Sequence, residues 1–271
     1  MSTADAQLAE FRQKRHQAVT SPQGSLALSN TQWIDRPQAV WSVPGEWAPR
    51  EDGGAGLLVT ASASDGITVD ESVVDGTVVV RAKDDAPAST ISFSDGKTGT
   101  LISGDGVYGL RVWDAHSEDM QRFSHIDAFD FAPEWVLQAQ WREIPGGSLV
   151  GFEHLKDEGQ AREEVVPGDI ILSFRGETYT LSAFKAGSAL QLVFADSTNG
   201  DSTYSVGRFL YCAPNPDGTI TLNFNYAILP PCAFSYHFNC PLPPANNRLP
   251  FAVEAGEKNV MATDGGLLHP F

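Results

Sequence analysis

The chain has 271 residues, enough for one large domain or two small ones with a real core. Hydrophobic residues make up 42% of it and charged residues 19%, which excludes global disorder. Asp plus Glu (34) outnumber Lys plus Arg (18), and the net charge of −16 repels phosphate backbones and anionic lipid, so neither nucleic-acid nor membrane-surface binding is expected.

In chain order, residues 3–19 read as a helix. Leu8, Phe11, Arg15 and Ala18 fall near one face, Glu10 sits four residues before Lys14, and Pro22 and Gly24 end the pattern. The expected role is docking through Leu8 and Phe11, with partner binding as the alternative. The N-terminal MSTADAQLAEFRQKRH carries no apolar stretch of signal-peptide length, and the clusters Leu57-Leu58-Val59 and Val78-Val79-Val80 are too short to span a bilayer. Three cysteines do not make a disulfide scaffold. A cytoplasmic protein with reduced thiols is the expectation.

From 25 to 110 the pattern changes to strands. The pairs Asp65-Gly66, Asp75-Gly76, Asp95-Gly96 and Asp105-Gly106 favour tight hairpin turns, because Gly tolerates positive φ. Between them lie short β-rich runs at 66–69, 77–80 and 90–93. Strands about ten residues apart, with no helical segment between them, indicate an antiparallel sandwich or barrel and disfavour a parallel βαβ fold. Residues 108–113 form a further strand, and another ends near Trp141. The acidic stretch 151–168, with Glu153, Asp157, Glu158, Glu163 and Glu164, reads as a solvated connection or exposed hairpin. Strands return at 169–174, 178–181, 190–195, 208–211 and 219–224, with Asp217-Gly218 as a hairpin turn. Residues 225–251 carry six prolines and almost no strand signal.

The motif search is mostly negative. There is no GxxxxGKS/T phosphate cradle, no GxGxxG opening a helix, no HExxH, no CxxC and no GxSxG, and no cofactor is expected. His116 and His125 flank Glu118, Asp119, Asp127 and Asp130, a group that reads as an exposed polar loop before it reads as an acid–base or metal cluster. The dense segment is Pro230–Leu249. Its prolines rigidify a loop that makes few ladder hydrogen bonds. Cys232, His237 and Cys240 leave several readings open: a zinc site without its fourth ligand, a thiol nucleophile activated by His237, a redox pair, or two small apolar cysteines packed in a tight loop. No four-ligand set is present, so no structural metal is expected.

Several stretches together resemble the bacterial and archaeal family called domain of unknown function 1684. They are Gly207-Arg208-Phe209-Leu210-Tyr211, Leu222-Asn223-Phe224-Asn225, Pro230-Pro231-Cys232-Ala233-Phe234, Cys240-Pro241-Leu242-Pro243-Pro244, Asn247-Arg248-Leu249 and Ala255-Gly256-Glu257-Lys258. Phe11-Arg12, Ser21-Pro22 with Gly24, and Tyr108-Gly109-Leu110-Arg111-Val112 fit its opening and middle. The resemblance implies a fold and a motif, not a reaction. Asn223 stands where members usually carry Asp, Tyr226 where a basic residue is usual, Leu229 where Asn precedes the prolines, and His237 where an aromatic residue is common. Losing an acid and a base beside the motif argues against acid–base chemistry. The family's early segment also resembles a forkhead-associated sandwich, but the phosphothreonine-reading Arg, Ser and His pattern is absent from residues 45–80.

The expectation is therefore a mostly β protein in three parts: an N-terminal helix (1–24), a β-sandwich-like part (25–110), and a β-barrel-like part (111–271) closed by the proline-rich loop 225–251. The leading function is binding of a small-molecule ligand, anionic if Arg208 receives it, in a pocket under that loop. Tyr204, Asn225, Asn247 and Glu257 would orient the ligand and Cys232 and Cys240 would line the pocket. For Arg208 and Glu257 the structural alternative is a mutual salt bridge. The rival functions are a hydrolase using Cys232 or Glu257 and an acidic protein-interaction scaffold.

Overall fold

A computed structural model describes residues 3–82, 87–104, 106–157 and 159–270. Strands account for 47% of the chain and helices for 15%, so the protein is mostly β, with an N-terminal helix and antiparallel sheets, one of which is a half-barrel. The chain forms two compact units, residues 17–121 and residues 1–16 with 122–271. The second of these takes in most of the helix Thr3–Val19.

The unit of residues 17–121 holds two antiparallel sheets. One runs in the order Leu28–Ile34, Val107–Trp113, Thr98–Gly104, Ile91–Phe93, Ile67–Val69, Ser72–Val73; the other runs Gln38–Ala39, Glu46–Pro49, Leu57–Ala61, Gly76–Val80. Alternating side chains of both sheets meet in one core, with Trp47, Leu57, Val59 and Val80 from one and Ile67, Leu101, Leu110 and Val112 from the other. Trp47 is completely buried and its indole N–H donates to the Pro44 carbonyl at 3.2 Å.

The Asp-Gly pairs do two different jobs. Asp95-Gly96 closes a true hairpin, Gly96 adopting φ +86° and its N–H donating to the Phe93 carbonyl at 3.0 Å. Asp65-Gly66 and Asp75-Gly76 instead carry the chain from one sheet to the other. Asp65 caps a short 3₁₀ turn over Ala63–Asp65 by accepting from the Ser62 N–H at 2.7 Å. Asp105 lies outside the described residues, as does Glu158.

The unit of residues 1–16 and 122–271 holds three sheets. The four-stranded one runs Glu177–Ser182, Ala161–Phe174, Val136–Glu153, Thr219–Asn223; the three-stranded one runs Phe184–Ala186, Ala189–Phe194, Arg208–Cys212; and Phe123–Ala128 pairs with Glu257–Ala262. The acidic stretch is the outer half of a long hairpin, in which Val136–Glu153 pairs with Ala161–Phe174 across a register shift between Glu143 and Ser148. The core gathers Trp135, Ile170, Leu172, Leu181, Leu192, Phe194, Leu210, Leu222, Phe224, Phe251 and Val253. Helix residue Leu8 is buried, and Phe11 meets Tyr226 edge-on with ring centres 4.9 Å apart.

Trp47→Ala should cost about 3–5 kcal/mol through the cavity it leaves. Urea unfolding measures this, and a loss under about 1 kcal/mol would show that the sandwich core does not depend on the ring.

Candidate functional site

The strand Arg208–Cys212 and the proline-rich loop lie side by side, Phe209 and Ile228 exchanging both backbone hydrogen bonds at 2.9 and 2.8 Å. Arg208 points inward and is fully buried, as is Asp196 at the turn after Ala189–Phe194. Their side chains form an ion pair at 2.7 Å. The second partner set of Arg208 is backbone: its guanidinium donates to the carbonyls of Val253 (2.8 Å), Ala255 and Glu257 (3.3 Å) and lies over the Phe194 ring. Asp196 in turn accepts from the Val253 N–H at 3.1 Å and from the N–H and hydroxyl of Thr198. Arg208 thus clasps the segment 253–257. In place of a salt bridge with the Glu257 side chain it has Asp196 and backbone carbonyls, and its side chain is fully buried.

Glu257 does not pair with Arg208 through its side chain. Its carboxylate accepts from Arg15 Nε at 3.0 Å and from the Leu229 N–H at 2.7 Å, while Arg15 also donates to the Leu229 carbonyl at 2.8 Å. Burial pushes the Glu257 carboxyl up from its ordinary value, and Arg15 and the Leu229 N–H pull against that. The two amides act as pieces of backbone. Asn247 accepts from the Ser182 N–H (2.9 Å) and donates to the carbonyls of Ser182 and Val193 (both 2.8 Å), joining the edges of two sheets. Asn225 does the same for Ala132, at 2.8 and 2.9 Å.

Two glycines of the motif are fixed by close approach. Gly256 has φ +80°, and a Cβ there would meet the Ala227 carbonyl oxygen at 2.6 Å; Gly207 has φ +116°, and a Cβ would meet the Phe194 carbonyl oxygen at 2.6 Å.

The cysteines come together. The Cys232 N–H donates to Cys240 Sγ at 3.3 Å, and the Tyr204 hydroxyl donates to Cys232 Sγ at 3.6 Å. The Cys240 thiol holds the Cys232 thiol below its ordinary range against the effect of burial, with Tyr204 assisting, whereas burial alone pushes Cys212 up to about 12. All three cysteines are free and buried. Among the described residues no three His, Cys, Asp or Glu side chains are placed to hold a metal ion.

Of the seven candidate residues, Tyr204 opens onto a recess. This cavity of about 190 Å³ is lined by Asp201, Thr203, Tyr204, Ala233, Asn259 and His269 among others. His269 bonds through Nε2 to the Phe234 carbonyl at 3.1 Å and packs on the Tyr236 ring at 4.3 Å; Asn259 donates to the Ser202 carbonyl at 3.1 Å. Burial pushes the Tyr204 hydroxyl up, so it remains a neutral donor. A second recess of about 260 Å³ opens under Leu242–Ala245, beside Glu153 and Arg248, and none of the seven lines it. Asp201, Asn259 and His269 were missed from the sequence, since a turn, the last strand and the tail beyond it carry no motif to single them out.

The family model for a protein of unknown function, DUF1684, matches residues 121–258. The chain belongs to this family. The matched DUF1684 region contains all seven candidate residues, together with Asp196, Gly207 and Gly256. The solution NMR structure of an uncharacterised protein from Haloarcula marismortui is similar, with 31% identity over 51% of this chain and 77% of that one and a TM-score of 0.42. No curated protein matches the chain. Among the described residues, no helix of this DUF1684 protein is long and apolar enough to cross a membrane.

Arg208→Ala should destabilise the protein by about 3–5 kcal/mol, because it leaves the Asp196 carboxylate and three carbonyls buried without their donor. Chemical denaturation measures this, and a loss near zero would remove Arg208 as the clasp. A thiol-specific reagent should label none of the three cysteines in the folded protein and all three in denaturant; rapid labelling of Cys232 in the folded state would contradict its burial.

Proposed function

We propose that this protein binds a small polar ligand, neutral or cationic, in the recess lined by Asp201, Tyr204, Asn259 and His269. The observation that supports this is the convergence, in one concavity, of a carboxylate, an imidazole, an amide and hydroxyl groups beside the family's proline-rich loop. Asp201 is exposed and has no ion pair among the described residues, so it favours a positive or hydrogen-bond-donating group over an anion.

The binding reading is favoured over a hydrolase by the state of the two proposed catalysts. Cys232 is 1% exposed and sits behind Tyr204, and both oxygens of the Glu257 carboxylate are occupied by Arg15 and the Leu229 N–H. A nucleophile or base must reach its substrate. The net charge of −16 supports a small molecule over nucleic acid or a membrane surface, and three cysteines outside any disulfide support a cytoplasmic setting.

Ligand-observed NMR with ethanolamine, glycerol and acetate as probes tests this reading. Saturation transfer to ethanolamine and glycerol, lost in the double variant Asp201→Asn/His269→Ala, is the expected result. Transfer to acetate alone, or transfer unchanged in the variant, would overturn it.

A further inference from the structure

A third recess, remote in sequence from the proline-rich loop, has the features of a ligand site and belongs to no residue considered so far. Its volume is about 520 Å³, larger than either recess beside the loop. Its wall combines Trp141, Pro167, Leu190 and Pro214 with two charged residues, Glu143 and Lys185.

The aromatic wall is fixed in place. Trp141 lies against Gly168 so closely that a Cβ on that glycine would meet the ring at 2.5 Å. Any other residue at 168 would displace the indole, so the glycine keeps one side of the ring covered and the ring immobile. Trp141 also packs against the main core, and its backbone N–H donates to the Gly218 carbonyl at 2.9 Å, fixing the main chain that carries the ring. Pro167 and Pro214 add rigid apolar edges with no side-chain entropy to lose on binding.

The two charges are the second observation. Glu143 and Lys185 line the same cavity with opposite sign, and neither has an ion-pair or hydrogen-bond partner among the described residues, including each other. Nearby charges do pair: Arg142, beside Glu143 in sequence, bonds Asp169. The polypeptide has therefore left one carboxylate and one ammonium open on the rim of an apolar, aromatic-walled cavity.

We infer that this recess binds a small zwitterion with an apolar body, of the α-amino-acid type. The ligand's carboxylate meets Lys185, its ammonium meets Glu143, and its apolar side chain packs on Trp141 between the prolines. Each charge on the rim then gains a partner without bringing net charge into the site. A simple anion would satisfy Lys185 and be repelled by Glu143, and a simple cation would do the reverse.

Titration calorimetry with L-phenylalanine, N-acetyl-L-phenylalanine (no ammonium) and 2-phenylethylamine (no carboxylate) tests this on the full chain. L-Phenylalanine should bind most tightly. Lys185→Gln should weaken L-phenylalanine and its N-acetyl form about three- to tenfold and, by removing a like charge, tighten 2-phenylethylamine. Glu143→Gln should weaken L-phenylalanine and 2-phenylethylamine by a similar factor and tighten the N-acetyl form. Both residues are exposed, so neither change threatens folding. The double variant Asp201→Asn/His269→Ala should have no effect on any of the three, which separates this site from the recess beside the loop. No heat from L-phenylalanine at millimolar concentration, equal binding of glycine, loss of binding in the Asp201/His269 variant, or charge variants that act on all three compounds alike would each overturn the inference.

Discussion

The buried ion pair between Arg208 and Asp196 is the constraint around which the larger unit is organised. Two charges taken out of water carry a desolvation cost of several kcal/mol each, and their mutual attraction alone does not offset it. The cost is met here by dense bonding at the two terminal nitrogens, while the buried Nε of Arg208 has no partner among the described residues. Arg208 gives its terminal nitrogens to three carbonyls as well as to Asp196, and Asp196 accepts from Thr198 and Val253 as well as from Arg208. The bonds that satisfy the pair are the bonds that hold segment 253–257. A chain lacking either charge would lose both the pair and the course of that segment.

The same substitution of side chain for strand recurs wherever the chain leaves the sheets. The proline-rich loop cannot supply a ladder, since proline has no N–H to give. Asn247, Asn225 and Glu257 provide its missing donors and acceptors, each bonding backbone N–H or C=O groups of a neighbouring element. Glu257 adds a helix to the arrangement, because the Arg15 guanidinium that neutralises it also lies over the Phe234 ring at 5.2 Å. These groups are committed to architecture, and the recess beside them is lined instead by the turn at Asp201–Tyr204, by Asn259 of the last strand and by His269 beyond that strand.

Much of the architecture was legible in the sequence, for physical reasons that can be named. Short β-rich runs about ten residues apart and Asp-Gly punctuation marked the strands of the sandwich, and helical spacing of Leu8, Phe11 and Arg15 marked the docking face. The two Asp-Gly pairs that cross between sheets were not separable from hairpins, because positive φ is a local property and sheet membership is not. The acidic hairpin was readable only as exposed, since charge hides the alternation on which strand recognition depends. Among site residues, the motif marked what is buried and polar but could not say for what purpose. Arg208, Asn247 and Glu257 look the same in sequence whether they hold a ligand or hold the backbone. The partner of Arg208 was missed because Asp196 precedes the motif and is separated from it by a turn. The Trp141 recess left no trace, as it assembles from one residue or two of several separate strands and turns.

Anchoring loops by side chains also shapes how the molecule opens. Amide hydrogens of Ser182, Val253, Leu229 and Ala132 are bound to side-chain oxygens of Asn247, Asp196, Glu257 and Asn225, respectively. Such hydrogens are released when the anchoring side chain lets go, and each anchor is itself tied to a buried network. Ser182 ends an edge strand, and Ala132, Leu229 and Val253 lie outside regular ladders; isotope exchange at these four amides should thus be as slow as in the central strands, and should accelerate together with them under denaturant. A loop that looks irregular in its dihedral angles then belongs, in its kinetics, to the most protected cooperative unit of the protein.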